Sequence, residues 1–299
     1  MTTHAVTGPG PTLAGRTAGD AGLPPHLVVP AGADVLALAG AWYEGARWLV
    51  SPADARSRTL PVVAVGARFR GARAEAPVVV PRLELAPGVV VEGPLAPGGA
   101  VAAAAVARAR LRPEVDTYSV PADPTATAWA TAAARHAGGA VVVGTEVVAP
   151  RPYDALVPLT VYAPGPADLA GVAALLHNAL PLAQPVRTPA SPSADPDALR
   201  HDLDYDGSVV VRPGAAGAGM PPALRTVDWR RVGPHTCTIT WHPPLPDDDA
   251  PLDLVSLRRA APWLVRAARA LRDGLGGTVL DAEGFVVDDA ALAALAAGR

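Results

Sequence analysis

Lysine is missing from all 299 residues, so the 25 basic residues are all arginine. Ile239, Asn178, Gln184 and Cys237 each stand as the single residue of their type. Aromatic residues make up 4 % and charged residues 18 % of the chain. Each scarcity excludes something. Without lysine there is no Walker phosphate loop, whose lysine reaches the β- and γ-phosphates. Schiff-base chemistry with carbonyls or pyridoxal phosphate is excluded too, as is a kinase-type Lys–Glu pair. A single cysteine rules out intramolecular disulfides and multi-cysteine zinc or iron–sulfur sites. It also fits a reducing compartment.

Positive charge is scarce as well. The formal net charge is −3, which argues against a nucleic-acid binder that relies on overall charge. Apolar stretches such as Val101 to Ala107 are short and alanine-rich, so no membrane-spanning helix is expected. Met1 to Pro30 shows no basic start followed by an apolar stretch, so no secretory signal is expected there. The excess of alanine, proline, arginine and glycine follows codon use in a GC-rich genome. The expectation is a bacterial, cytoplasmic protein.

The punctuation of the chain suggests its layout. Residues 1–28 are rich in Gly, Pro and Thr and read as a disordered tail. Residues 29–112 form a β-rich region: Trp48 to Val50, Val62 to Val65, Val78 to Val80, Leu83 to Leu85 and Val89 to Val91 are short β-branched or leucine runs between Gly and Pro. The alanine content of Ala100 to Arg110 favours helix.

Residues 113–187 read as an α/β unit. Asp123 followed by Pro124 is a helix start, and Gly138-Gly139 is a helix end. A strand at Asp116 to Pro121 precedes this helix, Val141 to Val143 with Val147-Val148 follow it as one strand, and Leu159 to Tyr162 is another. Asp168 then precedes an amphipathic pattern at Leu169, Val172, Leu175, Leu176 and Leu180. The β-α-β-β-α order matches a ferredoxin-like unit.

Residues 188–205 read as a Pro-rich linker, and 206–299 as a second ferredoxin-like unit. Its strands are Ser208 to Arg212 and His235 to Trp241. A helix with the stripe Leu264, Ala267, Ala268, Leu271 and Leu275 has Pro262 in its first turn. A hairpin spans Thr278 to Val287, and Asp288-Asp289 caps a last helix. Thr160 to Pro164 and Ile239 to Pro243 also share a strand–aromatic–proline pattern, a hint of duplication. The expected fold is α+β with mainly antiparallel sheets.

Five sets of residues carry candidate chemistry. Asp202, Asp204 and Asp206 followed by Gly207 place carboxylates at alternate positions before a glycine, as a calcium loop does. The twelfth position is Pro213 instead of a bidentate Glu, and the alternative is a solvated acidic entry to a strand. His235 and Cys237 share a strand face, with His242 nearby, and could contribute zinc ligands or a nucleophile. The alternative is a core cysteine beside a strand-end histidine. His136 and His177 lie on helices, as catalytic or merely capping histidines. Asp247 to Asp249, with Asp253, form an acidic loop for a cation or basic partner, or a solvated one. Arg225, Trp229, Arg230 and Arg231 combine residue types that dominate interface hot spots and bind carboxylates or phosphates.

No Gly-x-Ser-x-Gly elbow occurs, and Gly214 to Gly219 lacks the helix start of a dinucleotide loop. The expected function is a non-catalytic interaction or scaffold component with a protein partner, needing no cofactor unless calcium binds at Asp202 to Asp206. The alternative is an enzyme or ligand-binding protein with a His/Asp/Arg site between the two α/β units.

Overall fold

A computed structural model describes residues 24–59, 78–150, 157–188, 195–217, 220–244 and 250–297. The chain forms two compact units, one of Met1–Ala39 with Gly45–Pro150, the other of Gly40–Glu44 with Arg151–Arg299. Helices and antiparallel sheets make up both, so the fold is α+β.

The first unit contains β1 (His26–Pro30), α1 (Val35–Gly40), β2 (Arg47–Val50), α2 (Pro52–Thr59), β3 (Arg82–Ala86) and β4 (Val89–Glu92). It continues with α3 (Ala100–Ala109), β5 (Val115–Ser119), α4 (Pro124–Ala137), β6 (Ala140–Val143) and β7 (Glu146–Val148). Its strands form one antiparallel sheet in the order β2-β3-β4-β5-β1-β6-β7. Local chemistry sets α4. The Asp123 carboxylate accepts the Ala126 N–H at 2.8 Å, and Pro124 starts the helix. Gly138 ends it with φ of 69°, a conformation that penalises a Cβ. The helix buries Trp129 completely, and the indole Nε1–H donates to the Leu38 carbonyl at 3.1 Å. Gly139 then lets β6 approach β1, because a Cβ there would overlap the Val28 carbonyl oxygen.

The second unit contains β8 (Leu159–Ala163), α5 (Leu169–Leu176), β9 (Gln184–Val186), β10 (Ala198–Leu203) and β11 (Gly207–Ala215). Then come β12 (His235–His242), α6 (Ala250–Leu275), β13 (Thr278–Leu280) and α7 (Asp289–Ala296). The sheet order is β13-β8-β12-β11-β10-β9. Leu199, Val211, Ile239 and Leu159 face one another across four strands. This buried row packs with Leu264, Ala268 and Leu271 of α6 and with Leu176 of α5. Alternation on strands and 3.6-residue periodicity on helices thus meet in one core.

Several expectations give way here. The segment 113–187 does not close into a ferredoxin-like unit: β5, β6 and β7 join the first sheet, whereas β8 and β9 join the second. Strands and α-helices of the segment 206–299 run β-β-α-β-α, so it also lacks that order. Ladder partners are chosen over long sequence separations, and local pattern carries no information about them. Of the expected tail 1–28, residues 26–28 are strand; residues 1–23 lie outside the described residues. Of the expected linker 188–205, residues 198–203 are the buried strand β10. Helices α1 and α2 interrupt the expected run of strands over 29–112. Val78 to Val80 is not strand, and Val62 to Val65 lies outside the described residues. Thr160 to Pro164 and Ile239 to Pro243 carry neighbouring strands of a single sheet, β8 and β12.

Helix α6 begins twelve residues before Pro262, which sits in its interior. A proline there removes the amide that would bond the Arg258 carbonyl. Leu254, Leu257 and Ala261 extend the apolar stripe upstream and pack on the core, so burial carries the helix through the proline. The expected hairpin after β13 is a single bridge between Leu280 and Val286. The Asp281 carboxylate holds its turn by accepting from the Glu283 and Phe285 amides, both at 2.9 Å.

Candidate interaction surface

The loop between β11 and β12 carries the arginine–tryptophan set. Two short 3-10 turns shape it, Pro222–Thr226 and Trp229–Arg231. Ala223 and Leu224 are buried and anchor the first turn. Asp228 starts the second: its Oδ1 accepts the Arg230 amide at 3.0 Å, and its carbonyl accepts the Arg231 amide at 2.8 Å. The far end is tied to β13, where the Thr278 hydroxyl donates to the Arg231 carbonyl at 3.1 Å. Gly233 lies so close to β8 that a Cβ would crowd the Ala163 carbonyl oxygen. The loop is thus fixed at both ends, yet it holds the Trp229 side chain outward at 75 % exposure.

The four residues behave differently. Arg225 is taken up by Glu44 of the same unit, and this contact holds the Glu44 carboxyl below its usual range. The Trp42 indole, two residues from Glu44, donates to the Glu283 carbonyl at 2.9 Å. The Arg230 guanidinium lies over the Trp229 ring, 4.8 Å from its centroid, and 3.8 Å from Asp228 Oδ1. Arg231 donates to the Gly277 carbonyl at 3.3 Å. On α6, Arg272 donates to Asp273 and to Asp289, both at 2.8 Å, and Arg269 lies 3.9 Å from Asp289. The Arg272 hydrogen bond, above all, lowers the pKa of Asp289, helped by the charges of Arg269 and Arg231. Sequence reading misses Glu44, Arg269, Arg272 and Asp289, because their pairing joins segments far apart in the chain.

The aspartate set lies elsewhere in the second unit. Asp202 is the penultimate residue of β10, and its carboxylate accepts Arg200 Nε at 2.7 Å. Asp204, Tyr205 and Asp206 form the turn between β10 and β11. The Asp206 carbonyl accepts the Trp241 indole N–H at 2.7 Å, and its carboxylate lies 3.6 Å from Arg259. Gly207, at φ of 85°, closes the turn against the His242 carbonyl, where a Cβ would overlap it. Among the described residues, no three His, Cys, Asp or Glu side chains gather as a metal site would require. Asp247 to Asp249 lie outside the described residues, as does the Asp253 side chain.

The histidines and the cysteine do not converge either. His136 is exposed on α4, and His177 is exposed just past the end of α5. His235 and His242 sit at the two ends of β12, about 23 Å apart at the rise of a strand. Cys237 is in the sheet core, and burial pushes its thiol up to about 11. It therefore stays protonated near neutrality, unlike a nucleophile or zinc ligand.

His201 escapes sequence reading altogether. It lies on β10 between Leu199 and Leu203, 3 % exposed, with its ring 4.9 Å from that of Trp263. Among the described residues its buried Nδ1 has no hydrogen-bond partner. Burial lowers its pKa most; Arg266 adds to this, and Asp202 opposes it. Arg266 stacks on Trp263 at 3.8 Å. The alternating leucines were the available signal, but proline and aspartate around them suggested a linker.

Among the described residues, no helix is long and apolar enough to cross a membrane. Comparison with known protein families, curated proteins and solved structures finds no match.

Proposed function

We propose that this protein is a non-catalytic interaction component, a scaffold element of a bacterial cytoplasmic assembly, and that it binds a protein partner through the Trp229 loop. The observation that carries this reading is the exposed Trp229 indole on a loop anchored at both ends. Tryptophan and arginine dominate binding energy at protein interfaces. A rigid aromatic loses little conformational entropy when a partner covers it. The loop's fixed geometry presents Trp229 and its stacked arginine already in place.

The test is site-directed photo-crosslinking of the full chain in extract, with p-benzoylphenylalanine at Met220, 44 % exposed on the same loop. The expected result is one dominant protein adduct that disappears in a Trp229→Ala background of unchanged melting temperature. An adduct pattern indifferent to Trp229→Ala overturns the reading.

A further inference from the structure

Building on the interaction reading, we propose that the Trp229-Arg230-Arg231 face takes an acidic, extended protein segment. Carboxylates of the partner meet the two guanidinium groups, and an apolar side chain of the partner covers the indole.

The argument rests on how the arginines around this loop are used. Arg225 closes on Glu44, and Arg269 and Arg272 close on Asp289. Those three are spent inside the unit. Arg230 and Arg231 are exposed, and among the described residues their guanidinium groups hydrogen-bond to no carboxylate, although the Arg231 charge also acts on Asp289. Among the described residues the Arg230 guanidinium meets one carboxylate, Asp228 at 3.8 Å, and that oxygen already accepts the Arg230 amide. Arg231 has one acceptor among the described residues, the Gly277 carbonyl. A guanidinium carries five N–H donors, so both keep donors for an incoming group.

The Arg230 guanidinium lies over the Trp229 ring, and its only carboxylate contact among the described residues is the long one to Asp228 at 3.8 Å, so its edge keeps donors for an incoming group. That edge is the geometry for bidentate carboxylate recognition. The neighbouring Asp289 already shows arginines of this region holding a carboxylate. The exposed Trp229 ring beside the Arg230 guanidinium asks for an apolar contact. A nucleic acid also offers anions, but two arginines in a chain of net charge −3 are a poor match for a polyanion that needs an extended basic stripe.

The test presents the full-length protein to a displayed random peptide library and measures selected peptides by fluorescence anisotropy. The expected peptides combine Asp or Glu with an aromatic or aliphatic residue. Their affinity should fall at least about tenfold in Trp229→Ala and in the double variant Arg230→Glu/Arg231→Glu. It should weaken with added salt. Arg225→Ala, whose internal ion pair is exposed, should stay within about twofold. Unchanged melting curves show that each variant is folded.

Selection of peptides without acidic residues that still need Trp229 overturns the proposed partner chemistry and leaves the interaction reading standing. Peptides indifferent to Trp229→Ala, or no enrichment, overturn the proposal, and a Trp229-independent crosslink separately overturns the reading beneath it. Trp229-dependent binding of a thymidine oligonucleotide tighter than any peptide replaces the acidic segment with nucleic acid.

Discussion

Trp129 and Trp229 are the same residue with opposite fates. Trp129 sits on α4 in the first unit, fully buried, with its indole N–H satisfied by the Leu38 carbonyl. Trp229 stands on a 3-10 turn in the second unit, 75 % exposed, with a guanidinium on its face. The first gains its place from apolar burial and one hydrogen bond. The second is held outward by bonds that its neighbours make through their backbone and by a buried leucine five residues upstream. An aromatic residue in sequence is therefore ambiguous until its surroundings are known, and the two tryptophans should respond to mutation in opposite ways.

The largest effect should come from Trp129→Ala. Removing a fully buried indole should destabilise the first unit by about 3–5 kcal/mol, read by denaturant unfolding. A loss below about 1 kcal/mol would break the contrast.

The next tests burial in the second unit. His201 has a pKa lowered from 6.5 by burial, so the unfolded chain takes up a proton before the folded one does. Stability from neutral His201 is complete above pH 6.5 and is lost as pH falls through 6.5 toward the lower folded pKa. Wild type should lose melting temperature on acidification more steeply than His201→Phe. His26 is also lowered by burial and titrates in both proteins, so the difference isolates His201. Parallel curves would show that the buried imidazole is not coupled to stability.

Third, Asp123→Ala should remove the α4 cap for about 1 kcal/mol, shifting the same unfolding transition as Trp129→Ala. Smaller still, Trp229→Ala should change stability by no more than about 0.5 kcal/mol while abolishing the crosslink. That pairing of no folding effect with a binding effect sharpens the comparison most. At the bottom of the scale, millimolar calcium should leave the melting temperature unchanged, because Arg200 engages the Asp202 carboxylate and Arg259 lies 3.6 Å from that of Asp206. A calcium-dependent rise would show that these carboxylates bind a cation.

How much of this was legible follows the range of the interactions. The Asp123, Asp168 and Asp288 caps each accept an amide three residues on, from Ala126, Gly171 and Ala291. Every atom of such a cap lies within a few residues, so the sequence displays it. Strands β5, β8, β11 and β12 were visible as β-branched or alternating runs. The candidate surface was visible as residue types at Arg225 to Arg231, but not its division into spent and open arginines. That division depends on Glu44, Asp289 and Gly277, dozens to well over a hundred residues away. Pro262 misled because a local rule was overridden by burial of the stripe upstream.

By itself, then, the sequence determined the α+β character, most helix starts, and the chemistry closed to a chain with no lysine and one cysteine. These follow from covalent identity and from contacts within one turn. Only the tertiary structure decided which sheet each strand joins, that His201 is buried beside Trp263, and that Trp229 stays uncovered while Trp129 does not. Each of those outcomes is set by packing between segments remote in sequence, where backbone pairing and apolar burial outweigh local preference.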